Sequence, residues 1–165
     1  MTSLSMDPLT LGHVLITLIA IVSGLVVLGQ MRSNTLSGGW TGMFLATSVL
    51  TSVTGFVFFH PPTFTPAQHV GIVALLILAV TLYALYLKHL AGVWRPVYVI
   101  GVVISLYLNV FVLVIQCFIK IPALHALAPS IPPAGPVFGA VQGIVLIVFV
   151  IAGWRGVKRF HPATN

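Results

Sequence analysis

Five long runs of apolar residues, separated by short polar or proline-rich segments, organise this chain. They cover residues 9–30, 40–59, 69–87, 97–118 and 137–154. A helix rises about 1.5 Å per residue, and the hydrocarbon core of a bilayer is about 30 Å thick, so each run is long enough to cross it. The pattern predicts an all-α, polytopic membrane bundle of five transmembrane helices, forming a single domain over residues 1–165.

Polar positions inside these runs indicate how the helices pack. Ser105, Asn109 and Gln116 occur at i, i+4 and i+11, so they lie on one side of the fourth helix. A buried amide without a partner costs a few kcal/mol in hydrocarbon, so this side is expected to face other helices or trapped water. In the second run, Thr47 and Thr51 belong to a hydroxyl-rich face. We expect a packing seam there, with the lining of a polar path as the alternative.

The first run has a face of small and polar residues. His13, Thr17, Ala20 and Gly24 follow one another at helical spacing. Small residues at such spacing let helix backbones approach closely in membranes. We therefore expect this face to contact a neighbouring helix.

Composition and charge agree with a membrane protein. The chain is 59% hydrophobic and 5% charged, with a mean hydropathy of +1.15, whereas soluble domains are roughly 25% charged. The net charge of +6 does not indicate a nucleic-acid partner, since the basic residues are scattered at helix ends. The expected surroundings are the lipid bilayer.

The basic residues also predict an orientation. With five spans, six of the seven fall on one side of the membrane: Arg32, Lys88, Arg95, Arg155, Lys158 and Arg159. Only Lys120 falls on the other side. Cytoplasmic loops are enriched in Lys and Arg, so the bias predicts an outside N-terminus and a cytoplasmic C-terminus.

Few residues suited to catalysis are present. Asp7 is the only acidic residue and Cys117 the only cysteine, which excludes paired-carboxylate hydrolysis, a carboxylate-bound Mg or Ca ion and an intramolecular disulfide. No nucleophile–base pair or phosphate-binding glycine motif is readable. The sequence favours a protein that is not an enzyme, without deciding the question.

Histidines provide the one candidate ligand set. His13, His60, His69 and His125 fall on the predicted outer face. His13 and His69 are the candidate axial ligands of a haem b, and His60, His69 and His125 the candidate ligands of a Cu or Zn ion. Neither cofactor is favoured, because histidines are common at membrane interfaces and no two share a helix at ligand spacing. We expect His13 to hydrogen-bond a neighbouring group instead.

Two stretches carry a resemblance to known proteins. One runs from Tyr107 to Gln116 and continues through Phe118, Lys120 and Pro122-Ala123-Leu124; the other is residues 44–56. Both resemble a group of small, uncharacterised bacterial multi-pass membrane proteins. The resemblance implies a bacterial inner-membrane location and carries over no activity or site residue.

Three functional hypotheses follow from these observations. The first is a non-catalytic accessory or assembly subunit of a larger bacterial membrane complex, whose partners would be other membrane-protein subunits or further copies of the chain. The second is a haem- or metal-binding protein for electron transfer or metal handling, which would use the outer histidines. The third is a small transporter or channel, for which the acidic residues and internal repeats common in transporters are missing. We favour the first.

Overall fold

The computed structural model describes residues 8–58 and 66–162 of the chain. Helices make up 83% of the structure, and the described residues include no strand. In chain order the elements are α1 (Pro8–Arg32), α2 (Gly38–Phe58), α3 (Pro66–Leu82), a π-helical segment (Tyr83–Leu87), α4 (Trp94–Lys120), α5 (Pro122–His125) and α6 (Pro136–Arg159). Five helices in this part of the chain are long and apolar enough to cross a membrane, which confirms the predicted all-α, multi-pass class.

Helix α4 forms the centre of the bundle. In its apolar window 44% of the residues are buried, against 17% to 28% in the other four long helices. It contacts α1, α3 and α6, and Tyr98, Val102 and Leu106 are fully buried on it. The polar residues Ser105 and Asn109 lie on this helix and are buried, as expected for the helix that its neighbours enclose.

Helices α1 and α2 form a tightly packed antiparallel pair. A Cβ added at Gly24 would lie 2.6 Å from Leu106 Cδ1 and 2.8 Å from the Phe44 ring, so any larger residue there would displace those side chains. Ala20, one turn earlier, is fully buried. The predicted small face of the first span is therefore confirmed as a close-packing face.

Helix α3 changes geometry before it ends. The π-helical segment is followed by a turn in which His89, Leu90 and Gly92 have positive φ values of 47°, 58° and 55°. The ring of Tyr83 packs edge-on against that of Trp94, with centroids 5.0 Å apart. This turn brings α4 back antiparallel to α3.

Six basic residues gather at one end of the bundle, here called the basic end: Arg32, Lys88, Arg95, Arg155, Lys158 and Arg159. Two hydrogen bonds join the chain segments there. Arg95 Nη1 donates to the Phe160 carbonyl at 2.9 Å, and the His161 backbone N–H donates to the Asn34 side-chain oxygen. Phe160 is 0% exposed and its ring lies 6.0 Å from that of Tyr98, so the segment after α6 folds back into the bundle.

The fifth spanning helix is longer than predicted. The apolar run suggests 18 residues ending at Trp154, whereas α6 has 24 residues and ends at Arg159. Long basic side chains can lie along apolar surface while their charges reach water, so Arg155–Arg159 continues the helix instead of ending it. Pro136 occupies the first turn, where a missing N–H costs nothing.

Candidate functional site

The candidate site consists of the polar side chains that lie within the long helices. Asn109 on α4 is 8% exposed, and its Nδ2 donates to Ser48 Oγ of α2 at 3.1 Å. Ser105, one turn earlier, is also buried, and its hydroxyl has no hydrogen-bond partner among the described residues. The structure thus buries Asn109 and supplies Ser48 as its partner, which the sequence pattern did not name.

Gln116 does not share this buried side. The sequence pattern places Gln116 with Ser105 and Asn109 on a side that faces other helices or trapped water, and among the described residues the Gln116 side chain is exposed. Gln116 has the right helical phase but lies seven residues, about 10 Å, further along the axis than Asn109. Phase determines the side of a helix on which a residue lies; it does not determine whether a neighbouring helix covers that level.

Thr47 and Thr51 of α2 bond within their helix or lie against α1. Thr47 is half-buried and its Oγ1 donates to the Met43 carbonyl at 2.6 Å. Thr51 is also half-buried, and its Oγ1 lies 3.4 Å from Thr17 Oγ1 of α1. A hydroxyl that bonds the carbonyl four residues earlier needs no partner on another helix. These contacts are those of a packing seam between α1 and α2.

His13 is half-buried and contacts α2. Its Nδ1 lies 2.8 Å from Thr54 Oγ1, and that hydroxyl also lies 2.7 Å from the Leu50 carbonyl, to which it donates. A hydroxyl that donates its proton to a carbonyl accepts from the imidazole, so this arrangement favours the tautomer with the proton on Nδ1. His13 therefore acts as a hydrogen-bonding group between α1 and α2.

The other candidate ligands lie in different surroundings. His69 is exposed near the start of α3, and His125 is half-buried at the end of α5, with a buried Nδ1 that has no hydrogen-bond partner in the described part of the chain. His60 lies outside the described residues. Within 8–58 and 66–162, no three His, Cys, Asp or Glu side chains come together as a metal site would require. The haem pair and the metal set of the sequence analysis stay predictions.

Gln142 is a polar contact that sequence reasoning did not place in the site. It is 8% exposed on α6, and its Nε2 donates to the Phe111 carbonyl of α4 at 3.1 Å. Its side-chain oxygen is buried without a partner among the described residues. A lone amide in an otherwise apolar run was the available signal, since an amide there must find a donor or acceptor.

Two apolar grooves lie on the outside of the bundle. The α4–α6 groove, with a volume of about 370 Å³, is bounded on α4 by residues including Ile100, Val103 and Tyr107 and on α6 by residues including Phe149, Gly153 and Trp154. The other, of about 340 Å³, lies between α1 and α2 and includes Leu18 and Trp40. Both grooves face the zone that lipid tails would occupy.

Comparisons with known proteins add no relative: no family model, no curated protein and no solved structure matches this chain. The fold alone defines its class, a multi-pass α-helical membrane protein.

Proposed function

We propose that this chain is a non-catalytic accessory or assembly subunit of a larger bacterial membrane complex. One observation carries the proposal: three polar side chains inside the apolar helices form hydrogen bonds between helices. His13 bonds Thr54, Asn109 bonds Ser48, and Gln142 bonds the Phe111 carbonyl. They join α1 to α2, α2 to α4 and α4 to α6.

These bonds give the bundle a defined outer surface. An interhelical hydrogen bond in a membrane contributes about 0.6 kcal/mol on average and up to about 1.7 kcal/mol. The contribution of each bond is modest, but each also fixes the rotation of one helix against the next, since a different rotation would strand the amide or imidazole in hydrocarbon. A fixed outer surface is what a neighbouring subunit requires.

Helix α6 provides the largest uncovered face. In its apolar window 17% of the residues are buried, and Ile144, Ile147 and Ile151 form an exposed stripe. On the same helix, a Cβ added at Gly139 or Gly143 would meet nothing within 4 Å. Glycines spaced four apart on an open face allow a second helix to approach closely. This face supports the proposal that α6 contacts another membrane helix.

The proposed location is the bacterial inner membrane, with the N-terminus outside and the C-terminus in the cytoplasm. Six of the seven Lys and Arg residues belong to the basic end, and Lys120 belongs to the other end. The positive-inside bias favours the basic end on the cytoplasmic side. The resemblance to small bacterial multi-pass proteins supports the choice of membrane.

Site-specific photo-crosslinking in the native membrane tests the proposal. A photoreactive residue replaces Ile147 on α6, which is 59% exposed, or Leu76 on α3, which is 64% exposed and serves as the matched control. We expect Ile147 to give one discrete adduct whose partner also co-purifies with the wild-type chain at fixed stoichiometry. Lipid adducts alone at both positions, with a chain that purifies as a monomer, would contradict the proposal. Solute flux through liposomes containing the isolated chain would favour the transporter hypothesis instead.

A further inference from the structure

The α4–α6 groove differs from the other lipid-facing surfaces because it leads toward a cluster of charge. Its floor is made by Val103 and Phe149, which are buried, and its walls by exposed residues such as Val150. A Cβ added at Gly153 would already lie 3.3 Å from Val103 Cγ1, so the missing side chain there helps to keep the groove open. Its volume of about 370 Å³ falls in the range of small-molecule sites, about 300–1,000 Å³.

The groove has the length of one lipid leaflet. On α6 it extends from Leu146 to Val157, which is about 16 Å along the helix axis. Half of a hydrocarbon core is about 15 Å thick. One end of the groove lies at the basic end of the bundle and the other near mid-depth. An extended hydrocarbon chain entering from the basic end would fit along it.

Positive charge lies at the mouth of the groove. Trp154, which lines it, has the Lys158 Nζ atom 4.0 Å from its ring centroid. Arg155 and Arg159 lie in the same last part of α6. The chain has a single acidic residue, Asp7, which precedes α1 in the sequence, and α1 begins at the opposite end of the bundle. Residues 8–58 and 66–162 include no Asp or Glu, so no acidic side chain in the described part of the chain neutralises these cations.

We propose that the α4–α6 groove binds an anionic phospholipid, with one acyl chain along Val103, Phe149 and Gly153 and the phosphate at Lys158. The groove offers apolar contact to the acyl chain over the depth of one leaflet, and the Lys158 ammonium group beside Trp154 offers a positive charge to the lipid phosphate. Basic clusters at the membrane-facing ends of helices are where acidic lipid headgroups bind. The proposal does not depend on the accessory-subunit function.

Native mass spectrometry of the detergent-purified chain tests this site. The chain is titrated with phosphatidylglycerol or with phosphatidylcholine of the same acyl chains, and the binding of the two lipids is compared. We expect one tightly held lipid adduct with a preference for phosphatidylglycerol. Lys158→Gln should weaken phosphatidylglycerol binding about fivefold and leave phosphatidylcholine nearly unchanged, because one basic residue near a headgroup contributes about that factor. Lys120→Gln, at the opposite end, is the charge control and should change neither lipid.

A second pair of variants tests the groove itself. Val150→Trp fills it from a wall position that is 61% exposed, and Ile147→Trp adds the same bulk to α6 outside the groove. Val150→Trp should remove the tight adduct, and Ile147→Trp should retain it. If Val150→Trp fails to fold by circular dichroism, Ile104→Trp fills the groove from the other wall.

Three results would overturn the proposal. They are equal binding of the two lipids, an equal effect of the two tryptophan variants, or a dimer of this chain that Val150→Trp dissociates, which would make the groove a contact between copies.

Discussion

A close approach of α3 to α4 makes a sharp prediction about Gly101. A Cβ added there would lie 2.0 Å from Thr81 Oγ1 and 3.1 Å from Thr81 Cβ, on the facing helix α3. Rotating the threonine away would break the 2.7 Å bond from its Oγ1 to the Ile77 carbonyl and leave its Cβ in place. Gly101→Ala therefore forces α3 and α4 apart instead of moving one flexible side chain.

The size of the effect follows from opposing contributions. Overpacking a well-packed core costs about 1–3 kcal/mol, whereas alanine is favoured over glycine in a helix by up to about 1 kcal/mol. We expect Gly101→Ala to lower the free energy of unfolding by about 2 kcal/mol, since a separation of 2.0 Å from Thr81 Oγ1 is far inside van der Waals contact. Thr81→Ala alone should cost less than about 1 kcal/mol, because a helix-internal hydroxyl bond contributes little.

The double variant is the decisive comparison. Thr81→Ala removes the Oγ1 and Cγ2 atoms that a new methyl at Gly101 would meet and keeps the Cβ at 3.1 Å. The double variant should therefore regain most, but not all, of the lost stability, with a coupling of more than about 1 kcal/mol. The free energy of unfolding is measured for the wild type, the two single variants and the double variant. Each detergent-solubilised protein is unfolded by SDS titration, and circular dichroism detects the unfolding. Additive effects of the two substitutions would refute the proposed contact between α3 and α4. A Gly101→Ala protein as stable as the wild type would do the same.

Three further predictions follow from the polar contacts and the predicted orientation. Asn109→Leu should lower the free energy of unfolding by about 1 kcal/mol, the value of one interhelical hydrogen bond, and Gln116→Leu, at an exposed position, should change it by less than about 0.5 kcal/mol in the same titration. Phe160→Ala should cost about 3 kcal/mol, because a fully buried ring leaves a cavity, and limited proteolysis should then release the C-terminal segment; an uncut tail would contradict its docking through that ring. In inside-out and right-side-out vesicles, a cysteine replacing Ser130 should react with an impermeant reagent only from outside, and one replacing Ser37 only from the cytoplasmic side; the reverse pattern would invert the orientation.

The fold could be predicted from the sequence to a large extent because apolar length is a direct physical requirement for crossing a bilayer. The five runs map onto the five long helices, and the small face containing Gly24 packs as its spacing predicts. The end of α6 was missed because a basic residue interrupts an apolar run without interrupting a helix. The charge of Arg155 lowers the local hydropathy and so ends the apolar run, although the helix continues past Arg155 to Arg159.

The polar site was less predictable because helical phase shows on which side of a helix a residue lies, but not whether a neighbouring helix covers that residue at its position along the axis. Ser105, Asn109 and Gln116 share a phase, yet the first two are buried and Gln116 is exposed. The partner of Asn109 is Ser48, 61 residues away, and no local pattern connects them. Long-range pairs of this kind depend on how helices are arranged around α4, which a single sequence does not encode in any readable spacing.

The central claim is tested most directly by extracting the chain gently, together with any partners, and recording its absorbance spectrum. The spectrum is recorded for the oxidised and the reduced sample. The proposed accessory subunit should co-elute with larger membrane proteins at fixed stoichiometry. The isolated chain should show no Soret band, because a haem b with two axial histidines needs both inside the bundle, and His69, the second candidate, is exposed near the start of α3. A Soret band that belongs to the isolated chain, shifts on reduction and disappears in both His13→Ala and His69→Ala would contradict that claim and establish the haem-binding hypothesis.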